Sequence, residues 1–172
     1  MKSKLLFLIA FSCCLSLEAK LLEKGSISIG GHALVPLSWD AFGHLSVSVD
    51  VMPSASYFIF DQLESVASLR IQGLPHEPTY YGLQFGANYY FDWDLGFFPY
   101  IGLALGAQMA DFKVNSSRVF IELPIGIAFV VSNSLLIQIG APLRFILAPP
   151  GPTLGTAHIE WSPGFVGSSV FF

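Results

Sequence analysis

Period-two hydrophobicity repeated in eight segments, an apolar composition with few charges and an N-terminal export leader together predict an all-β chain, an eight-stranded antiparallel up-and-down transmembrane β-barrel. The repeat is plainest from Val119 to Val131. Every second residue there is large and apolar (Val119, Ile121, Leu123, Ile125, Ile127, Phe129, Val131), and those between are Phe120, Glu122, Pro124, Gly126, Ala128 and Val130. Alternate side chains leave a strand on opposite faces. One face therefore meets a continuous apolar medium and the other something cramped and partly polar. At 172 residues, 53% hydrophobic and only 12% charged, the chain is too apolar for an ordinary soluble domain of its size.

Residues 1–19 read as a signal peptide and residues 20–172 as one barrel domain. Lys2 and Lys4 give the positive start, Leu5 to Leu17 the apolar run, and Leu17-Glu18-Ala19 an imperfect small-residue cleavage site. Cys13 and Cys14 are the only cysteines, so the mature chain carries no thiol and needs no disulfide in an oxidising compartment. A lipoprotein processing site at Cys13 or Cys14 is the weaker reading, because the residues before them fit that pattern poorly. Removal of the leader leaves 6 basic and 11 acidic residues, a formal charge of −5. No basic run remains for nucleic acid or anionic lipid.

The first strand spans about Ser26 to Leu37, with Ile27, Ile29, Ala33 and Val35 on one face and Ser28, Gly30 and His32 on the other. After a loop from Ser38 to Gly43, the second strand (His44 to Phe60) alternates Leu45, Val47, Val49 and Val51 with Ser46, Ser48 and Asp50. Asp61-Gln62 turns into the third, Leu63 to Gln72, where Ala67, Leu69 and Ile71 oppose Ser68, Arg70 and Gln72. Prolines make a loop of Gly73 to Pro78. The fourth strand, Tyr80 to Phe91, sets Leu83, Phe85 and Tyr89 against Gln84, Asn88 and Tyr90, and the fifth sets Ile101, Leu103 and Leu105 against Gly102, Ala104 and Gly106.

The sixth strand follows a loop from Asp111 to Ser117, and Ser132-Asn133-Ser134 turns it into the seventh. There Leu135, Ile137, Ile139, Ala141, Leu143 and Phe145 oppose Leu136, Gln138, Gly140, Pro142 and Arg144. Ala148 to Gly155 is the last loop. The eighth strand runs from about Thr156 to Phe172, and Pro163-Gly164 interrupts its alternation, so a bulge shifts the phase and its faces stay unassigned at this point.

Each segment reaches the ~9–11 residues that a tilted strand needs to cross hydrocarbon. Closure follows from the solvent, since an open edge in lipid leaves backbone groups unpaired. With a periplasmic N-terminus the short turns fall inside and the loops outside. Two aromatic girdles agree with this placement: Tyr57, Tyr89, Phe91, Trp93, Phe97, Phe98, Phe129 and Phe172 at the inner ends, and Trp39, Phe42, Tyr80, Tyr81, Phe112 and Trp161 at the outer ends. An arginine facing lipid at the midplane costs about 2–4 kcal/mol. Arg118, Glu122 and Arg144 therefore belong to the interior, and every strand's phase then agrees.

A helical rival exists, because no residue from Leu123 to Leu143 is charged and a hydropathy window would mark that stretch. Pro124, Ser132-Asn133-Ser134, Gly140 and Pro142 break it, and its apolar residues follow a period of two.

The segments Phe98-Pro-Tyr-Ile-Gly-Leu-Ala-Leu-Gly106, Leu123-Pro-Ile-Gly-Ile-Ala-Phe129 with the following Leu135-Leu-Ile-Gln-Ile-Gly140, and the end Gly164-Phe-Val-Gly-Ser-Ser-Val-Phe-Phe172 resemble the small OmpA/OmpX-type outer-membrane barrels. The resemblance is architectural and covers the mature chain. It implies that Phe172, Val170 and Val166 form a C-terminal signal read by the barrel-insertion machinery, from whose alternation Ser168 departs. It also implies residence in a bacterial outer membrane. The family includes adhesion, structural and small-channel proteins, so the resemblance leaves the role open; the short outer loops lower the adhesin reading.

His32, Asp50, Arg70, Arg118, Glu122, Arg144 and Glu160 are expected to line the lumen as a structural charge network. The interior of so narrow a barrel is filled by side chains, and buried charges need partners. His44, Ser46 and Asp50 share one face of the second strand, which raises a lipid-modifying hydrolase. Same-face neighbours lie about 7 Å apart and this face points inward, whereas a catalytic base must reach its nucleophile. His76 with Glu77, and His158 with Glu160, fall short of a zinc site, and no glycine cluster forms a phosphate loop. The sequence therefore points to a non-enzymatic integral outer-membrane protein, with a plugged lumen and a role in envelope structure or surface contact. The alternative is a narrow porin-like channel for small or apolar solutes; a lipid-modifying enzyme comes third. Its expected partners are outer-membrane lipid and, during biogenesis, the insertion machinery. A monomer is expected, without cofactor, metal or nucleic acid.

Overall fold

The computed structural model describes residues 22–39, 45–73, 79–93, 96–110, 117–147, 158–162 and 164–172. Their strands are β1 (Ile27–Leu34), β2 (Leu37–Trp39), β3 (Leu45–Val47), β4 (Val49–Phe60), β5 (Leu63–Gly73), β6 (Tyr80–Tyr90), β7 (Phe97–Ala110), β8 (Arg118–Leu123), β9 (Ile125–Ser132), β10 (Leu135–Gly140), β11 (Leu143–Leu147), β12 (His158–Trp161) and β13 (Phe165–Phe171). These join into eight staves. β1 with β2, β3 with β4, β8 with β9, β10 with β11 and β12 with β13 each make one stave, and β5, β6 and β7 are one each. Consecutive staves pair antiparallel, and β1 closes the ring on β13, from Ser28 opposite Phe171 to Leu34 opposite Phe165. With the ring closed, ladder groups find partners within the sheet, as a span through lipid requires. No helix of the described residues is long and apolar enough to cross a membrane; the crossing elements are strands. The leader and its cleavage site lie outside the described residues.

Prolines explain why several staves are split. Leu143 pairs with both Leu123 and Trp161, and Trp161 pairs with Leu37. One residue earlier or later on each stave, a lumen-facing row therefore runs through Pro124, Pro142, Ser162 and Pro36. Proline offers no N–H to a ladder. The gaps are stitched by neighbouring groups: Gly102 N–H donates to Pro124 O at 2.8 Å, Ala141 N–H to Ile125 O at 2.8 Å and Ser162 N–H to Pro142 O at 3.2 Å.

The inside–outside alternation follows the sequence on the first seven staves. Ile29, Val49, Leu69, Leu83, Leu105, Ile125 and Ile139 are exposed on the outer wall, while Ser28, Asp50, Arg70, Gln84, Ala104, Glu122 and Gln138 are buried. On the eighth stave Glu160 and Ser162 face in, and beyond residue 163 it is Phe165, Ser169 and Phe171 that do. The inward set changes from even to odd numbers, as an extra residue in one strand requires. Val166, Val170 and Phe172 consequently face outward.

Two girdle assignments need correction. Tyr80 and Phe98 are only 7% exposed and face the lumen. Both carry even numbers on staves whose outward residues are odd, and Tyr80 is held inside by Arg118, whose guanidinium lies 5.1 Å from its ring centre. Tyr57, Tyr89, Phe91, Trp93 and Phe172 at one end and Trp161 toward the other remain outward. Phe42 and Phe112 lie outside the described residues.

The end where Leu22 and Phe172 lie is closed by apolar side chains. Phe58, Phe98, Val130, Leu136 and Phe171 form a floor with Tyr90, and Leu22 is buried in the same cluster. Gln62 N–H donates to Leu22 O at 2.8 Å, and Lys24 N–H donates to Asp61 Oδ1 at 2.8 Å. The segment preceding β1 is thus tied to the turn between β4 and β5.

Candidate functional site

Cross-strand registry assembles the centre of the lumen. Arg144 of β11 stands opposite Glu122 of β8 and opposite Glu160 of β12, so three charged residues sit side by side in one ring. Directly paired residues approach to about 4.5–5.5 Å, which suits contact between their head groups. Arg144 donates to Glu122 Oε2 through Nε at 2.9 Å and Nη2 at 2.6 Å, and to Glu160 Oε2 through Nη1 at 2.6 Å. This forked engagement of two carboxylates is what the planar guanidinium favours.

The opposite wall completes the cluster. Arg70 of β5 pairs with Asp50 of β4 and lies 3.5 Å from Glu122 Oε2, while Asp50 also lies 3.5 Å from Arg144 Nη2. Phe120, fully buried, packs between the two arginines, with guanidinium-to-ring distances of 5.1 Å and 5.2 Å. Cation–π attraction of this kind strengthens when the groups are desolvated. Gln84 Nε2 donates to the free oxygen of Glu122 at 3.1 Å. Three carboxylates and two guanidiniums thus span the lumen as one network with a formal charge of −1. Across from Phe120, Gly106 leaves space that its ring fills; a Cβ there would collide with that ring.

Of the seven residues expected in the network, five come together: Asp50, Arg70, Glu122, Arg144 and Glu160. Arg118 stacks on Tyr80 instead, on the side away from the floor. His32 belongs to a second cluster, where its Nε2 meets Gln138 Oε1 at 2.6 Å and its ring packs edge-on against Phe165. Gln138 Nε2 in turn donates to Tyr90 Oη at 2.7 Å, Tyr90 Oη donates to Glu64 Oε2 at 2.7 Å, and Asn88 Nδ2 donates to the same oxygen at 3.1 Å. Glu64 was not among the expected residues. Its signal was available, since it shares the inward phase of Ser68, Arg70 and Gln72 on β5.

From the loop end to the terminal end the lumen therefore stacks Arg118 on Tyr80, the five-residue charge network, the His32–Gln138–Tyr90–Glu64 cluster and the apolar floor. Among the described residues no three His, Cys, Asp or Glu side chains are grouped to hold a metal ion. Asp50 is committed to Arg70, and His44, the side chain of Ser46, and His76 with Glu77 lie outside the described residues.

This architecture defines a class, the small eight-stranded transmembrane β-barrel. No protein-family model and no curated protein sequence matches the chain. Solved structures do. Neisserial surface protein A superposes with a TM-score of 0.65 at 17% identity, over 87% of this chain and 100% of that one. The N-terminal β-barrel domain of Pseudomonas aeruginosa OprF gives 0.61 at 15% identity, over 87% and 98%. At these identities the likeness is one of fold, and it is the fold of small outer-membrane barrels.

Proposed function

We propose that this protein is an integral component of a bacterial outer membrane, exported by its leader and inserted with a periplasmic N-terminus. It contributes to envelope structure or surface contact through a barrel whose lumen is shut. The observation that carries this reading is the charge network itself: Arg70, Arg144, Asp50, Glu122 and Glu160 reach across the lumen and bond to one another, with the apolar floor as a second closure in series. The solved structures of like fold are consistent with an outer-membrane barrel, and the engagement of Asp50, Glu122 and Glu160 with arginine leaves those three carboxylates poorly suited to acid–base chemistry. The outward Val166, Val170 and Phe172 suit recognition by insertion machinery, and the monomer closes its own sheet without a partner strand.

Purified protein reconstituted in planar bilayers tests the reading. Silence at applied voltage is expected; steady unitary conductance of the unmodified protein would replace the closed-barrel reading with that of a narrow channel.

A further inference from the structure

The outer wall is not evenly studded with large side chains. Across β13, β1, β4 and β5 the outward positions partway up are Ser168, Gly31, Pro53, Ala55 and Ala67, and registry sets them side by side. Gly31 stands opposite both Ser168 and Pro53, and Ala55 opposite Ala67. Exposed large residues rise around them, Val51, Ile71 and Val166 on the loop side and Ile29 and Val170 on the floor side. The result is a trough in two stretches of about 550 Å³ and about 300 Å³ that share Pro53. Ile137 lines one stretch, and Leu83 and Phe85 line the other.

The backbone keeps the trough open. A Cβ at Gly31 would lie 2.9 Å from Met52 O and 3.2 Å from the Cα of Pro53, so a side chain there needs β4 to give way. Pro53 has no N–H to offer a neighbour. Its stave keeps an unbroken ladder with β1 through Gly31, whereas the ladder with β5 skips Met52 and Pro53 and resumes at Ser54 opposite Ser68. The second stretch lies over that break.

The chemistry of the wall identifies the occupant. No Asp, Glu, Lys or Arg lines either stretch, and both open on the face that a transmembrane barrel turns to hydrocarbon. An empty trough forfeits the dispersion contacts of every atom around it. Neighbouring strands are about 4.7–4.9 Å apart, so the four staves span about 14 Å; the chains of one leaflet reach about 15 Å, half the hydrocarbon thickness. Strands tilted by about 35–45° carry this cross-strand row obliquely through the membrane rather than in its plane. We propose that the trough is a docking site for a single acyl chain of membrane lipid, lying along Ser168, Gly31, Pro53, Ala55 and Ala67. A second copy of the protein suits it less, because a two-fold contact centred here sets trough against trough and leaves the space unfilled. The inference rests on the outer-membrane reading above, which fixes what this wall meets.

Native mass spectrometry of the barrel, reconstituted in palmitoyl-oleoyl phosphatidylcholine vesicles and released into mild detergent, tests the site. The unmodified protein should retain one lipid per barrel, and should do so equally when the headgroup is phosphatidylglycerol, because the chain is what is held. Ser168→Leu and Ala55→Leu fill the two stretches from outward positions, and each should lower retention roughly fivefold or more through lost dispersion contact. Ala107→Leu, outward on β7 across the ring, should leave it unchanged. Absence of retained lipid on the unmodified protein, equal retention by all four proteins, retention that follows the headgroup, or a dimer that the two filling substitutions dissolve would each overturn the site while leaving the membrane reading intact. A barrel that fails to float with the vesicles would overturn the membrane reading and the site together.

Discussion

Replacing Arg144 by methionine should destabilise the barrel far more than its loss of packing would. Arg144 is 2% exposed and bonds to both Glu122 and Glu160, with Asp50 at 3.5 Å. Methionine keeps much of the side-chain length but leaves three carboxylates facing Arg70 alone. Removing one partner of a buried ion pair costs about 3–5 kcal/mol because the remaining charge keeps its desolvation penalty. At 1.36 kcal/mol per factor of ten, that raises the unfolding equilibrium constant by roughly two to nearly four powers of ten. Urea titration in phospholipid vesicles, followed by tryptophan fluorescence and by the mobility of folded and unfolded forms on gels, reads this directly. The triple change Arg144→Met, Glu122→Gln and Glu160→Gln should recover more than half of the loss, because two of the stranded charges are gone. A single variant within about 1 kcal/mol of the parent, a value expected of exposed pairs, would refute the burial argument.

Two further changes probe the two faces of β7. Leu105→Arg places a charge on the outer wall where Leu105 is 56% exposed and flanked by Phe85 and Ile121; a loss of about 2–4 kcal/mol is expected in lipid, with little effect if that face meets water. The adjacent Gly106→Val drives a branched side chain into the Phe120 ring; overpacking of this kind costs about 1–3 kcal/mol, and the paired Gly106→Val and Phe120→Leu change should restore part of it, measured by the same urea titration.

Period-two alternation was enough to read the staves, their faces and the inward placement of Asp50, Arg70, Glu122 and Arg144, because each lies within an uninterrupted run. The eighth stave resisted that reading for a physical reason. Its inward residues change parity across residue 163, and an alternation that shifts phase cannot be extrapolated from either side. Tyr80 and Phe98 misled through their chemistry, since aromatic rings near stave ends suit a membrane interface and a crowded lumen equally; parity was the better guide. The separation of His32 from the charge network was not legible. It depends on registry across the ring, where His32 pairs with Gly167 and Met52 rather than with any charged residue. Glu64 could have been found from its phase on β5, but its tie to Tyr90 required the same registry.

Spin labels along β7 distinguish a closed ring of strands wrapped in lipid from a sheet whose outer face meets water. With Cys13 and Cys14 replaced by serine, single cysteines at the outward positions 101, 103 and 105 would carry the label in vesicles. All three should be accessible to oxygen and shielded from a water-soluble relaxation agent. Access of the water-soluble agent matching that of oxygen at these positions would show that the outer wall meets water and not lipid.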